Sequence, residues 1–396
     1  MKIINLTISV VYSRIVPMKF DAGSYRQQQS DYKAFIPSSL VDSNYRASDK
    51  KILSALGSAM HALGELNAYA NIVPDADVFL RMYIAKEAVT SSGIEGTKTN
   101  VGEALSPEDE VKEERRNDWQ EVQNYIAALQ WGVQELQTLP LSMRLLKGAH
   151  SVLMQGVRGK HKMPGEIRTS QNWIGGATPG TAKFVPPPFV DLPDLLSDLE
   201  RFWHQASPEI PALIRIAMSH YQFETIHPYL DGNGRTGRLL ITLHLMHEKL
   251  LRSPVLYLSA FLEEERREYF DHLERIRTKG DMDGWLLFFL GGVQAMSVSA
   301  RETMESILAL QKRCEERIAS EEKRTAVSRR FLATLFSNPI VTVRDAMRLL
   351  SLTKPAANSL VNHFAEMGIL KETTGKEKNR IFSFQEYIAL FDSQQK

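Results

Sequence analysis

The sequence predicts an all-α protein that carries one small β-hairpin and a helix-turn-helix domain near its C-terminal end. Apolar residues recur at three- and four-residue spacing from residue 49 onward, which is the period of an amphipathic helix. Glycine and proline interrupt this period between residues 164 and 188, where apolar residues alternate as in a short hairpin. Residues 343–384 contain a helix pattern, a turn, a second helix pattern and a hairpin pattern.

Helical patterns cover most of the chain from residue 49 onward. They cover residues 49–66, 75–88, 119–136, 141–155, 190–203, 212–225, 239–250, 263–277, 285–296 and 300–323. A charged stretch at residues 103–116 predicts the start of a separate core. We therefore expect an N-terminal helical region (1–115), a core (116–300), a connecting helix (301–325) and a C-terminal domain (326–396).

Composition limits the classes of function. The 396 residues include 48 basic and 47 acidic ones, a net charge of +1, so no overall field attracts nucleic acid or a membrane. Cys314 is the only cysteine, which excludes an intramolecular disulfide and a cysteine zinc cluster and fits the cytoplasm. The first 20 residues lack a small-residue cleavage site, so we expect a short strand or a tail there. No apolar run has the length of a transmembrane helix.

One stretch, residues 227–238, has the composition of a phosphate site. Gly232 and Gly234 leave backbone N–H groups uncovered where a helical pattern resumes, and such a helix N-terminus attracts an anion. Arg235 and Arg238 lie three residues apart, so both guanidinium groups are expected to reach one polyphosphate. Taken singly, these residues are typical of a turn and of a solvated helix face. Their combination within twelve positions favours phosphate binding.

The same stretch contains a carboxylate and an imidazole. Asp231 is a hard oxygen ligand of the kind that holds Mg²⁺ next to substrate phosphates. His227 is then the residue available to accept a proton. No Gly-Lys-Ser/Thr follows the glycines, so the stretch is not a Walker A loop.

The twelve residues resemble the motif of the Fic (filamentation induced by cAMP) family, His-Pro-Phe-x-Asp/Glu-Gly-Asn-Gly-Arg-x-x-Arg, with Tyr229 in place of Phe. The resemblance implies a Fic-fold helical core with a β-hairpin flap, and a protein adenylyltransferase that uses ATP with Mg²⁺. Gly234 argues against the phosphate-transferring branch of the family, which has Lys at that place. The resemblance implies His227 as catalytic base, Asp231 as metal ligand, and a set of nucleotide-binding residues: Gly232, Asn233, Gly234, Arg235, Arg238 and Tyr269.

A second segment resembles the inhibitory motif of the same family, Ser/Thr-x-x-x-Glu-Gly/Asn. It comprises Ser91, Glu95 and Gly96, in a polar cluster that by itself predicts only the end of a helix. By this resemblance Glu95 pairs with Arg238 in the absence of nucleotide, with both charges withdrawn from water, and blocks the place of the γ-phosphate.

The resemblance also concerns partners. In the family the flap, here residues 173–188, holds a target peptide as an added strand. Self-modification and a homodimer stay open, and no membrane partner is expected. The C-terminal domain resembles a winged helix-turn-helix. Its segment 321–396 has twelve basic and eight acidic residues, so DNA and protein are equally expected as its partner.

Two alternatives remain at this point. The chain could be a winged-helix DNA-binding regulator, or an antitoxin-like protein, whose Fic core only senses nucleotide. It could also be a Fic enzyme that removes AMP from a modified protein, because that reaction uses the same residues.

Overall fold

A computed structural model describes residues 20–29, 31–72, 76–156, 162–205, 210–320 and 325–392. The stretch predicted as a short strand or tail, residues 1–20, lies outside the described residues except for Phe20. From the N-terminus to the start of the stretch 227–238 the elements are β1 (Gly23–Gln27), β2 (Lys33–Pro37), α1 (Lys50–Ile72), α2 (Ala76–Ile94), α3 (Val101–Leu105), α4 (Arg116–Glu135), α5 (Met143–Leu153), α6 (Leu192–Gln205) and α7 (Ala212–Ile226). Beyond it come α8 (Asn233–His247), α9 (Leu258–Glu264), α10 (Arg266–Lys279), α11 (Met282–Ala319), α12 (Thr325–Ser337), β3 (Ile340–Thr342), α13 (Val343–Leu350), α14 (Lys354–Glu366), β4 (Lys371–Glu372), β5 (Ile381–Ser383) and α15 (Gln385–Asp392).

The described residues are mostly helical, as predicted, and α7 and α8 form the centre of the core. Almost every residue of both helices is buried, including polar ones such as His220 and Thr236. A helix that is buried on all its faces is surrounded by other elements of the core. The loop that joins α7 to α8 is therefore held by its neighbours on several sides.

Two predicted helix boundaries were wrong. The stretches 285–296 and 300–323 belong largely to one continuous helix, α11, of 38 residues. It is anchored on α7 by Trp285, whose Nε1 donates to Ala217 O at 3.0 Å. Conversely, residues 263–277 are divided between α9 and α10, because the chain breaks its helical course at Glu265.

The flap is smaller than a regular hairpin. Its two arms meet at a single antiparallel bridge between Ile174 and Phe184. An additional hairpin, β1 with β2, was not predicted, and it packs against the base of the flap: Phe35 N donates to Val185 O at 2.9 Å. One edge of the flap is thus covered by the chain itself.

The C-terminal segment packs on α2, the helix that contains Ser91 and directly precedes Glu95. The ring centroids of Phe79 and Phe336 lie 5.5 Å apart, and those of Tyr83 and Phe391 lie 5.2 Å apart. Within this segment β3, β5 and β4 form a three-stranded antiparallel sheet beside α13 and α14. Those are the elements that a winged helix-turn-helix requires, and the assignment to that fold stays a prediction. Helix α15 was not predicted.

Among the described helices, none combines the length and the apolar character that crossing a bilayer demands.

The contact of α4 with α5 yields a stability prediction. A Cβ added at Gly148 of α5 would overlap the Trp131 ring of α4, whereas one added at Gly57 of α1 would meet no atom within 4 Å. Gly148→Ala should therefore destabilise the protein by about 1–3 kcal/mol through overpacking. Gly57→Ala should stabilise it by about 0.5–1 kcal/mol, because alanine favours the helix. Urea unfolding measures both, and equal midpoints for the two variants would contradict the packing described here.

Candidate active site

The loop between α7 and α8 begins and ends with left-handed backbone. His227 caps α7 with φ 51° and ψ 59°, and its N–H donates to Phe223 O at 2.9 Å. Gly232 precedes α8 with φ 74°, a conformation that glycine adopts without steric cost. The two reversals turn the chain through the loop, so that His227, Asp231 and the start of α8 line one cavity of about 330 Å³.

His227 has the protonation state of a base. Its Nδ1 lies 3.3 Å from Glu224 O, and because a carbonyl only accepts, Nδ1 carries the hydrogen. Burial lowers the pKa of His227 to about 4, so the ring is neutral near pH 7. The other ring nitrogen, Nε2, therefore has a free lone pair that can accept a proton. The imidazole ring lines the cavity.

The start of α8 offers uncapped N–H groups. No side chain caps this helix at its N-terminus, so its first amide groups are available to an anion. Asn233, whose backbone is predicted to bind nucleotide, uses its side chain inside the loop. Its Oδ1 accepts from Tyr229 N and its Nδ2 donates to Tyr229 O, both at 2.8 Å. Asn233 therefore shapes the loop with its side chain and offers only its backbone to the cavity.

Asp231 also lines the cavity, and its Oδ1 accepts a hydrogen bond from Gly232 N at 2.6 Å. Among the described residues no group of three or more His, Cys, Asp or Glu side chains could hold a metal ion by itself. One carboxylate beside an anion site nevertheless fits Mg²⁺, which is commonly bound by one or two carboxylates together with substrate phosphates and water.

The two arginines do not share one anion. Arg235 lines the cavity and pairs with Glu121 of α4, with Nη1 and Oε2 3.1 Å apart. Arg238 is 2% exposed and lies deeper, where Nε donates to Ser91 Oγ at 2.8 Å and Nη2 to Ser91 O at 2.9 Å. That both guanidinium groups reach one polyphosphate stays a prediction; without nucleotide they have the separate partners Glu121 and Glu95.

The expected contact between Glu95 and Arg238 is present. Arg238 Nη2 donates to Glu95 Oε1 at 2.7 Å. Burial alone would raise the pKa of Glu95, but the guanidinium of Arg238 holds it below its usual range. The side chain of Arg238 is 1% exposed and that of Glu95 is 41% exposed, so the arginine is fully withdrawn from water and the glutamate only in part. The expectation that both charges are buried was wrong for Glu95.

Two small residues let Glu95 approach α8. A Cβ at Gly234 would overlap Glu95 Oε1, so the missing side chain makes room for the carboxylate. Gly96 follows with φ 104°, which turns the chain away directly after Glu95. Glu95 thereby lines the same cavity as His227 and Arg235.

Tyr269 lies outside the cavity, although it was predicted to contact nucleotide. It is 1% exposed, and its hydroxyl lies 2.8 Å from His220 Nε2. Its ring packs on those of His220 and Trp285. Core packing between α7, α10 and α11 thus determines where this aromatic ring lies.

His150 was missed by the sequence analysis. From α5, its Nε2 lies 3.0 Å from Asp231 O, its Nδ1 accepts from Gly165 N at 2.8 Å, and its ring stacks on Tyr229 at 3.7 Å. It therefore holds the backbone of the loop at Asp231. A single histidine in an amphipathic helix gives no signal of this contact, which arises only when α5 packs against the loop.

Comparison with known proteins agrees with this geometry. A family model described as "Fic/DOC family N-terminal" matches residues 53–134, and one described as "Fic/DOC family" matches residues 140–245. The chain is 34% identical over 118 residues to "Protein adenylyltransferase fic-1" of Caenorhabditis elegans, covering 30% of this chain and 21% of that protein. It is 30% identical over 125 residues to "Protein adenylyltransferase Fic" of Drosophila melanogaster, covering 31% and 23%. The chain thus spans less than a quarter of these curated relatives.

A solved structure, that of a Fic family protein from Desulfovibrio desulfuricans G20, shares the fold. It superposes with a TM-score of 0.54 at 20% sequence identity, over 85% of this chain and 96% of that chain.

Burial of histidines predicts how stability depends on pH. Besides lowering the pKa of His227, burial lowers the pKa of His220 to about 3, against an ordinary value of about 6.5. Between about pH 6.5 and pH 4 the unfolded chain therefore binds protons that the folded chain does not. The free energy of unfolding should fall as the pH is lowered through this window, by about 1.4 kcal/mol per pH unit for the fully buried His220.

Nitrogen NMR of the imidazole groups at decreasing pH, combined with urea unfolding at each pH, tests this expectation. Both rings should keep the neutral pattern at pH 5.5 in the folded protein and should be protonated at that pH in the urea-unfolded chain. A folded His227 that protonates near pH 6.5 would contradict its assignment as a neutral base.

Proposed function

The chain belongs to the Fic family, and from that premise we propose that it is a protein adenylyltransferase, which moves AMP from ATP to a side-chain hydroxyl of a protein. The names of its relatives, at 30–34% identity over the matching region, support a transferase of this kind. One observation carries the proposal: the neutral imidazole of His227 and the uncapped N-terminus of α8 line the same cavity.

The reaction follows from these groups. The oxygen of a Ser, Thr or Tyr hydroxyl attacks the α-phosphorus of ATP, the bond to the β-phosphate oxygen breaks, and pyrophosphate leaves. His227 Nε2 accepts the hydroxyl proton, which contributes about 10²- to 10⁴-fold in rate. The N–H groups at the start of α8 stabilise the charge that develops on the phosphate oxygens.

Mg²⁺ fits this proposal with Asp231 as its protein ligand. When bound, the ion neutralises charge on the phosphates. Asp231 itself is oriented from both sides, because its Oδ1 accepts from Gly232 N and its carbonyl oxygen lies 3.0 Å from His150 Nε2. Arg235, on the wall of the cavity, is placed to bind a phosphate once it exchanges Glu121 for the substrate.

Glu95 is proposed to inhibit the enzyme. Its carboxylate satisfies Arg238 in the absence of nucleotide and stands in the cavity beside Gly234. A γ-phosphate reaching Arg238 must displace it. Because Glu95 is 41% exposed while Arg238 is buried, the carboxylate is the partner that a γ-phosphate can displace into solvent.

The target segment is proposed to lie along the flap. Trp173 and Ile174 are 39% and 42% exposed at its free arm, while the hairpin of β1 and β2 covers the other side. A strand of a target protein, or of a second copy of this chain, can therefore add only to the arm that carries Trp173.

The two alternatives receive unequal support. Lys376, in the hairpin after α14, pairs with Glu110 at 2.8 Å, so part of the surface that would contact DNA is used within the chain. Removal of AMP is better supported, because Glu95 and His227 line one cavity and a carboxylate there can orient water. Release of AMP from a pre-labelled protein distinguishes this reverse reaction from transfer.

The base is tested by His227→Ala. Incorporation of labelled AMP into the chain or into lysate proteins should fall by about 10²- to 10⁴-fold. ATP affinity should be retained, because the imidazole acts on the hydroxyl and not on the nucleotide. Unchanged labelling would refute the assignment of His227.

Inhibition is tested by Glu95→Gln, which keeps the size of the side chain and removes its charge. A hydrogen bond to a charged partner is worth about 1.5–3 kcal/mol, so transfer and ATP affinity should rise about tenfold or more. Glu103→Gln is a matched control, since Glu103 pairs with Arg115 at 2.8 Å at the start of α3. Equal labelling by wild type, Glu95→Gln and Glu103→Gln would show that Glu95 does not inhibit.

A further inference from the structure

Arg168 is a buried arginine whose hydrogen bonds go to backbone carbonyls. It is 1% exposed and lies between α5 and the flap. Its donors reach the following acceptors: Nε to His227 O at 2.9 Å, Nη1 to Ser170 O at 3.0 Å, and Nη2 to Pro187 O at 2.6 Å and to Ile226 O at 3.5 Å. Burial lowers the pKa of Arg168 to about 10, and none of these acceptors is a carboxylate.

The end of α7 explains why a cation is needed at this place. The last carbonyl groups of a helix have no partner within it, and a positive charge there is favourable. His227 has in addition a left-handed backbone, which costs a residue with a Cβ about 1–2 kcal/mol. The guanidinium fixes the carbonyl of His227 and thereby fixes its ψ angle, which sets the direction of the turn that follows α7.

Arg168 also connects this turn to the flap. Ser170 and Pro187 lie on the two arms of the segment that carries the flap, and the carbonyl oxygens of both accept hydrogen bonds from the same guanidinium. The backbone N–H of Arg168 donates to Pro228 O at 2.9 Å, the residue after His227. Arg168 therefore links the carbonyl of His227 to both arms of this segment, and Asn172 adds a second contact with the loop, from Nδ2 to Tyr229 O at 2.9 Å.

We propose that Arg168 is a positioning residue: it holds the imidazole of His227 in the orientation for proton transfer and makes that orientation depend on the position of the flap. The proposal rests on the proposed function, in which His227 is the base. The planar fork of a guanidinium suits carbonyls that lie in different directions, whereas an ammonium group is a single point of charge. Lysine at this position is therefore not an equivalent residue.

The experiment uses the full-length chain with Glu95→Gln as the parent, so that transfer is measured without inhibition. Arg168→Lys is compared with Arg215→Lys, a control on the same helix α7 as His227, whose arginine pairs with Glu248 at 2.7 Å away from the loop. The readouts are the rate of AMP transfer, the affinity for ATP and the nitrogen NMR signals of the His227 ring.

Arg168→Lys should lower the rate of transfer by about 10²-fold, the cost typical of a misplaced reactive group, and leave ATP affinity unchanged. The Nδ1 signal of His227 should shift, because its bond to Glu224 O changes when the turn is released. Arg215→Lys should retain the rate and the signal. A transfer rate for Arg168→Lys equal to that of the parent would overturn the proposal.

Two further outcomes can be told apart from a failure of the Arg168 proposal. If the Glu95→Gln parent transfers no AMP, the proposed function fails, and the His227 signal alone decides on Arg168: an unchanged signal in Arg168→Lys overturns the positioning role. If Arg168→Lys does not fold, the wild-type protein provides the test. The Nε–H of Arg168 should then exchange slowly with solvent, since its bond to His227 O is buried, and fast exchange would overturn the proposal.

Discussion

The arrangement of the site depends on one buried cation, the guanidinium of Arg238. It lies at the centre of the helical core, where an unpaired charge is costly, and it takes its partners from the end of α2. Ser91 supplies two fixed acceptors, and Glu95 supplies the charge. The contacts of Ser91 and Glu95 with Arg238 therefore tie the end of α2 to α8, and it is at this guanidinium that we propose nucleotide and glutamate compete.

The loop after α7 is held from two sides by residues that do not belong to it. His150 contacts the carbonyl of Asp231, and Arg168 contacts the carbonyl of His227. Both contacts are made to backbone, so they hold the main chain that carries the side chains of His227 and Asp231. This is the kind of preorganisation that lets donors and a base act without rearrangement during the reaction.

Helix α2 connects this site to the C-terminal segment. Phe79 and Tyr83 pack against that segment at one end of the helix, and Ser91 contacts Arg238 at the other. The C-terminal segment thus packs against the helix that directly precedes Glu95.

The local pattern of the sequence determined the helices, the turn at Gly232 and the residue types of the phosphate site, since helical period and glycine conformation are properties of a few neighbouring residues. The family motif added the expectation that Glu95 meets Arg238, across more than a hundred positions. Tertiary packing decided the rest. It placed Tyr269 in the core, directed the side chain of Asn233 into the loop, and brought His150 and Arg168 to backbone carbonyls that no spacing in the sequence identifies. The contacts of His150 with Asp231 and of Arg168 with His227 join segments far apart in the chain. Their partners are main-chain atoms, which every residue has and no sequence pattern distinguishes.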